Sequence, residues 1–284
     1  MRLCGKRTSS HSGVAIDENA AIEQDRCYNL LMIPDEPKTF SAKPPRFSGV
    51  SFVVPAHNEQ HYLQATLEQL NKIAKSLLTD FEIVVVNDAS TDSTPQIAAE
   101  NGARVIDVEL RNIGAVRNAG AKVARFDWIV FVDADTIVPE KTLLGSLTAL
   151  SKGAVGGGAF VSLDQIQPIG WFKMGLYYAV SLVWQTIGRW AAGCYMFCRK
   201  DAFEFFGGFD EQYFAAEELF FSFELKRLGK FQLVRAPVIT SSRKFYNYST
   251  SQLLRFVALP MTVLLRGTPL QSRFGLELLY EDDR

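Results

Sequence analysis

Two rhythms of apolar and polar positions alternate along the chain from about Phe47 onward. Gly49 to Val54 is a short run of β-branched and aromatic residues closed by Pro55. Behind it, Tyr62, Leu63, Leu67, Leu70, Ile73, Ala74 and Leu77 recur at the spacing of one helix face. The unit repeats three times: Glu82 to Val86 precedes Thr94 to Asn101, Arg104 to Val108 precedes Gly114 to Ala124, and Trp128 to Val132 precedes Glu140 to Leu150. Four strands joined through helices predict a parallel sheet with right-handed crossovers and helical flanks, an α/β fold.

After Ser151 the rhythm changes. Gly153 to Leu163 reads as a glycine-rich strand, Trp171 to Trp190 as a long aromatic helix, and Cys194 to Cys198 as a short strand. A helix from Ala216 to Leu228, a strand from Phe231 to Val234 and a turn at Pro237 follow. Residues 1–46 are polar, poorly periodic and end in Lys-Pro-Pro-Arg, which predicts a flexible or loosely docked extension. The folded domain is expected over 47–245, with halves of about 47–150 and 151–245, and 246–284 as a helical C-terminal segment with an acidic tail.

Charge narrows the partners. Thirty Lys and Arg stand against 31 Asp and Glu, and no cationic stripe with interleaved aromatics occurs, which argues against nucleic acid. Cys4, Cys27, Cys194 and Cys198 contain no zinc-knuckle spacing and read as free thiols in a reducing compartment. The basic stretch Met1 to Thr8 runs into Ser-Ser-His-Ser-Gly and not an apolar run, so a cytoplasmic location is expected. The uncharged stretch between Lys173 and Arg189 is broken by Gly175, Ser181, Gln185 and Gly188, and falls short of a membrane span. Phe256 to Leu265 is shorter and contains Pro260. Both suit a membrane interface, hence peripheral contact with its inner face, or a buried helix.

Candidate chemistry sits at the strand ends. Trp128 to Val132 stops on Asp133-Ala134-Asp135, two carboxylates that can share one face and meet a hard divalent cation and, through it, a phosphorylated ligand. Asp135 as a helix cap is the plainer alternative. Pro55-Ala56-His57-Asn58-Glu59 follows the first strand, and Asn87 to Asp92 follows the second with acceptors for a base or ribose; Asp92 or Ser93 can also cap the next helix. The spacing of His57, Glu59 and His61 is not that of a zinc helix. Arg111, Asn112, Arg117 and Asn118 surround a helix start that favours an anion, where Arg117 could hold a diphosphate. Glu217 and Glu218 open another helix; the dipole alone favours them there, or one accepts a proton. Thr240 to Lys244 offers hydroxyls and cations suited to phosphate.

Taken in order, these pieces resemble the family 2 inverting glycosyltransferases, whose catalytic domain has the GT-A fold. They are Val-Val-Pro-Ala-His-Asn-Glu from residue 53, Val-Val-Val-Asn-Asp-Ala-Ser-Thr-Asp from 84, Ala-Val-Arg-Asn-Ala-Gly from 115, Phe-Val-Asp-Ala-Asp from 131, and Gly-Gly-Phe-Asp-Glu through Glu-Glu-Leu from 207. The resemblance implies a GT-A-type, mostly parallel Rossmann-like sheet and transfer of a sugar from a nucleoside diphosphate to an acceptor hydroxyl on a glycan or lipid. Pro55, Ala56, Glu59, Asn87, Asp88 and Arg117 would bind the nucleotide. Asp133 and Asp135 would hold Mg or Mn. Glu218 would be the catalytic base, with Glu217 as its rival, and Arg243 would steady the leaving diphosphate. The chain departs from the family's usual pattern at His57 (tyrosine), Asn87 and Glu218 (both aspartate) and Phe220 (an acid). A nucleotide-sugar-binding module of a membrane-associated glycan assembly complex is the alternative. A dehalogenase-type phosphatase is disfavoured by Ile137 and the strand's place in the order, and a nucleotidyltransferase by the lack of a glycine-rich loop after the first strand.

Overall fold

The structure, a computed structural model, describes residues 47–164, 181–212 and 217–243 together with 175, 178 and 179. The expected segments 1–46 and 246–284, the run from Phe256 and most of the first half of the aromatic helix lie outside the described residues. Strand β1 (Val50–Ala56) is followed by α1 (Leu63–Leu77), β2 (Phe81–Asp88), α2 (Thr94–Glu100), β3 (Arg104–Val108), α3 (Ile113–Val123) and β4 (Trp128–Val132). The second half comprises β5 (Thr136–Ile137), α4 (Glu140–Ser151), β6 (Gly156–Leu163), a π-helical turn (Val183–Ile187), β7 (Tyr195–Arg199), α5 (Lys200–Phe206), α6 (Glu217–Leu228) and β8 (Phe231–Thr240).

The eight strands among the described residues form one sheet in the order β3-β2-β1-β4-β7-β6-β8-β5. The pairs β1–β2, β1–β4 and β2–β3 are parallel, as the alternating rhythm predicts. Strand β7 then runs antiparallel to β4, with Val132 opposite Tyr195, and β6 runs antiparallel to β7. Strand β8 is parallel to β6 and carries β5 antiparallel on its outer side. Direction therefore reverses only at β7 and β5. The C-terminal ends of β1, β2, β4, β6 and β8 share one edge with the start of β7.

The central strands read as continuous apolar runs because both faces are covered. On one face Phe52, Val54, Ile83 and Val85 pack with Leu63, Leu67 and Leu70 of α1. On the other, Val53, Val84 and Val86 pack with Val116 and Ala121 of α3. Helix α3 lies close to the sheet at Gly120, where a Cβ would come within 2.3 Å of a Val53 methyl. That contact fixes the height of Arg117, one turn earlier.

Three local readings change. Pro237 makes no turn but sits inside β8, where the β6–β8 register shifts between Ala159 and Val161. The break accommodates a residue with no N–H to donate. Helix α5 follows β7 directly, where no helix was expected. The end of the aromatic helix is a π-helical turn, tied back by the Trp184 indole N–H to the Ala191 carbonyl at 3.1 Å.

Candidate functional site

The loops after β1 and β2 are knitted together at the shared edge. Asn58 and Ala89 both adopt left-handed backbone, with φ of 53° and 54°. The Asn58 amide donates to Ser90 Oγ at 2.9 Å, and its side-chain oxygen accepts from Thr91 N–H at 2.8 Å. The Glu59 amide donates to Thr94 Oγ1 at 2.7 Å, while Asp92 accepts from the Thr94 amide at 2.9 Å just ahead of α2, whose N-cap residue, Ser93, makes no side-chain capping bond. These bonds leave the Glu59 side chain directed to Arg243.

Asp88, expected to contact the base, also organises a neighbouring loop. Its two oxygens accept from the backbone N–H groups of Leu110 and Arg111 at 2.7 and 2.9 Å, which pins the loop before α3. Asn87 is buried and donates to Asp107 Oδ1 at 2.7 Å, and its own Oδ1 has no hydrogen-bond partner. Pro55 and Ala56 are buried within β1. Asn112 caps α3 by accepting from Ala115 N–H at 2.9 Å, and Asn118 pins Phe209 through two 2.8 Å bonds.

The charged groups form two linked clusters around the Asp133–Asp135 strand end. In the first, Arg117 is 2% exposed and donates to Glu217 Oε1 at 2.6 Å, Asp133 Oδ1 at 3.0 Å and the Gly193 carbonyl at 3.0 Å. Asp133 and Glu217 together hold the Arg117 guanidinium charged, against the opposing effect of burial. A diphosphate contact from Arg117 would require this network to open. In the second, Arg243 forms a two-point ion pair with Glu59, one bond being Nη1 to Oε2 at 3.0 Å. Its Nη2 also stands 3.4 Å from Asp135 Oδ2, and its guanidinium lies 4.8 Å from the centre of the Tyr62 ring. Thr136 and Thr240 hydroxyls each stand 3.4 Å from Asp135 Oδ1.

Glu218 neighbours the first cluster. A Cβ on Gly193 would lie 3.4 Å from Arg117 Nη2 and 3.9 Å from the Glu218 carboxyl carbon, so the absence of a side chain there leaves room above both. Burial, and then the Glu217 charge, push the Glu218 carboxyl up to about 8. Ser222 ties this helix to the 190–194 segment, accepting from Ala191 N–H at 3.0 Å and donating to the Glu218 carbonyl at 2.8 Å.

The fold thus brings Glu59, Asp133, Asp135, Arg117, Arg243, Glu217 and Glu218 to one edge. Sequence reasoning missed Gly193, Thr136, Ser222 and Asp164, which support them through contacts distant in sequence. Among the described residues no group of three or more His, Cys, Asp or Glu side chains is placed to hold a metal ion. Asp133 and Asp135 supply two hard oxygen donors, a set that fits Mg or Mn when water and a diphosphate complete the shell.

Comparison with known proteins bears on family and fold. A family model described as "Glycosyl transferase family 2" matches residues 51–206. The putative glycosyltransferase EpsH of Bacillus subtilis is 38% identical over 91 residues, covering 30% of this chain and 26% of that protein. Undecaprenyl-phosphate 4-deoxy-4-formamido-L-arabinose transferase of Pseudomonas fluorescens is 36% identical over 108 residues, covering 36% of this chain and 32% of that protein. The matches therefore span less than a third of either relative. Mannosyltransferase PcManGT from Pyrobaculum calidifontis, solved with GDP-Man and Mn2+, superposes with a TM-score of 0.58 at 18% identity, covering 92% of this chain and 76% of that one. S. aureus TarS 1-349 in complex with UDP-GlcNAc gives 0.55 at 19% identity, covering 82% and 71%. The fold is GT-A, and with the family match extending over residues 51–206, more than half of the chain and including Arg117, Asp133 and Asp135, the chain belongs to glycosyl transferase family 2.

Proposed function

We propose that the chain transfers a sugar from a nucleoside diphosphate to an acceptor hydroxyl, with inversion at the anomeric carbon. The observation that carries this reading is that Arg117 and Gly193 link a two-carboxylate strand end, Asp133 and Asp135, to Glu218, a part-buried carboxyl pushed up to about 8. A base poised near neutral pH is suited to take a proton from a hydroxyl. The Mn2+ and nucleotide-sugar complexes of the similarly folded PcManGT and TarS support the assignment.

In this reading Asp133 and Asp135 would hold Mg or Mn, which when bound would supply positive charge against that of a departing nucleoside diphosphate. Pro55, Ala56, Glu59, Asn87 and Asp88 form the nucleotide wall, and Arg243 steadies the diphosphate. Arg117 keeps Glu217 and Asp133 in place, and the Glu217 charge holds the proton affinity of Glu218 high. The acceptor oxygen bonds to the anomeric carbon as the bond to the diphosphate oxygen breaks. Its proton passes to Glu218. A single displacement inverts that carbon.

Tyr178, Leu182 and Val183 are exposed apolar residues on the segment leading into 190–194, which suits an acceptor with a lipid part and peripheral membrane contact. No helix among the described residues is long and apolar enough to cross a membrane. The experiment is release of nucleoside diphosphate from UDP-, GDP- and dTDP-sugars with Mn2+, with and without acceptors. Glu218→Gln should lower the rate by about 10²–10⁴. Full activity in that variant with loss in Glu217→Gln would move the role to Glu217. Tight donor binding without release in the native chain would instead favour the binding-module reading.

A further inference from the structure

Each carboxylate assigned to the cation is already matched with an arginine, and the two arginines differ in kind. Arg117 is 2% exposed and bound to three partners from different elements. Arg243 keeps 21% of its side chain exposed, three residues beyond the end of β8, with its guanidinium over the Tyr62 ring. Its contact with Asp135 is the longer one, at 3.4 Å, while Glu59 takes two of its nitrogens. The backbone behind it is anchored: Asp164 Oδ1 accepts from Ser242 N–H at 2.9 Å and Ser242 Oγ–H at 2.7 Å. The side chain can swing while its base stays fixed.

We propose that Arg243 is an internal counter-ion of the donor pocket, pairing with Asp135 until a divalent cation binds there and then yielding to it. This rests on the assignment of Asp133 and Asp135 to the cation. A divalent ion binds carboxylate oxygen at about 2.0–2.6 Å. A guanidinium at 3.4 Å from the same carboxylate places like charges side by side, so one must retreat. The diphosphate offers Arg243 a new bidentate partner. Cation and nucleotide therefore bind cooperatively: the cation alone must break the Arg243 contact, whereas with a diphosphate the released guanidinium is re-paired. Glu59 and Tyr62, at the start of α1, hold the displaced side chain near the pocket.

The test is titration of the full chain with Mn2+, following free Mn2+ by electron paramagnetic resonance, first alone and then with UDP or GDP. Arg243→Met should bind Mn2+ alone about tenfold more tightly than the native chain, and the gain from adding nucleotide should shrink by a similar factor. Arg243→Lys retains charge but cannot grip Glu59 at two points, so it should fall between the two. Asp135→Asn separates the two levels of the argument. If Asp135→Asn weakens Mn2+ binding while both Arg243 variants match the native chain, the counter-ion role is wrong and the cation site stands. If Asp135→Asn binds Mn2+ as the native chain does, the cation assignment itself fails.

Discussion

Replacing Arg117 by methionine removes a guanidinium that is 2% exposed and leaves the Glu217 carboxylate, 7% exposed, without its partner at 2.6 Å. The methylene stem is kept, so the loss is electrostatic. Asp133 contributes less, because a third of its side chain faces water, which can solvate the charge once the arginine has gone. An uncompensated buried charge of the Glu217 kind costs about 3–5 kcal/mol. A domain of this size changes its melting temperature by roughly 2–4 °C per kcal/mol, so Arg117→Met should melt about 6–20 °C lower. Glu217→Gln in the same background removes the stranded charge and should restore about 1–3 kcal/mol. Thermal unfolding followed by circular dichroism on the native chain, both single variants and the double variant closes the cycle. A single Arg117→Met variant within 1 °C of the native chain, or strictly additive losses in the double variant, would refute the linked-charge description of this edge.

Two further outcomes follow from local geometry. Ala89 at φ 54° carries the left-handed strain of a Cβ, so Ala89→Gly should raise the urea midpoint by the equivalent of about 0.5–1 kcal/mol at unchanged slope. Glu218 binds a proton up to about pH 8 in the folded chain and to about 4.5 otherwise, so its contribution to stability is fully present below 4.5 and is lost as pH rises through 8. Glu218→Gln should flatten that fall by about 1–3 kcal/mol between pH 5 and 9, read from urea unfolding; an unchanged pH profile would show that the carboxyl is not the group titrating.

The first half of the fold was legible because its strands are buried on both faces and its helices on one, which writes period and composition directly into Val50–Ala56, Leu63–Leu77 and their repeats. The second half was less so. Pro237 signals a turn in sequence, yet a register shift between β6 and β8 absorbs it. Helix α5 is only seven residues long and begins on the residue directly after β7, leaving no loop to separate the two. Acidic strand ends and the Glu217–Glu218 pair announced charge but not pairing. That Arg117 bridges Glu217 and Asp133, separated by 100 and 16 residues, depends on how closely α3 approaches the sheet at Gly120. Nor could sequence show that Asp88 directs both oxygens to the amides of Leu110 and Arg111.

If Asp133 and Asp135 anchor a nucleoside diphosphate through a divalent cation, isothermal titration with UDP and GDP, with and without Mn2+, will register it. Binding should strengthen at least about tenfold with Mn2+ in the native chain, and Asp135→Asn should lose that Mn2+ dependence while retaining its melting temperature. Nucleotide binding indifferent to Mn2+, or an undiminished Mn2+ effect in Asp135→Asn, would contradict it.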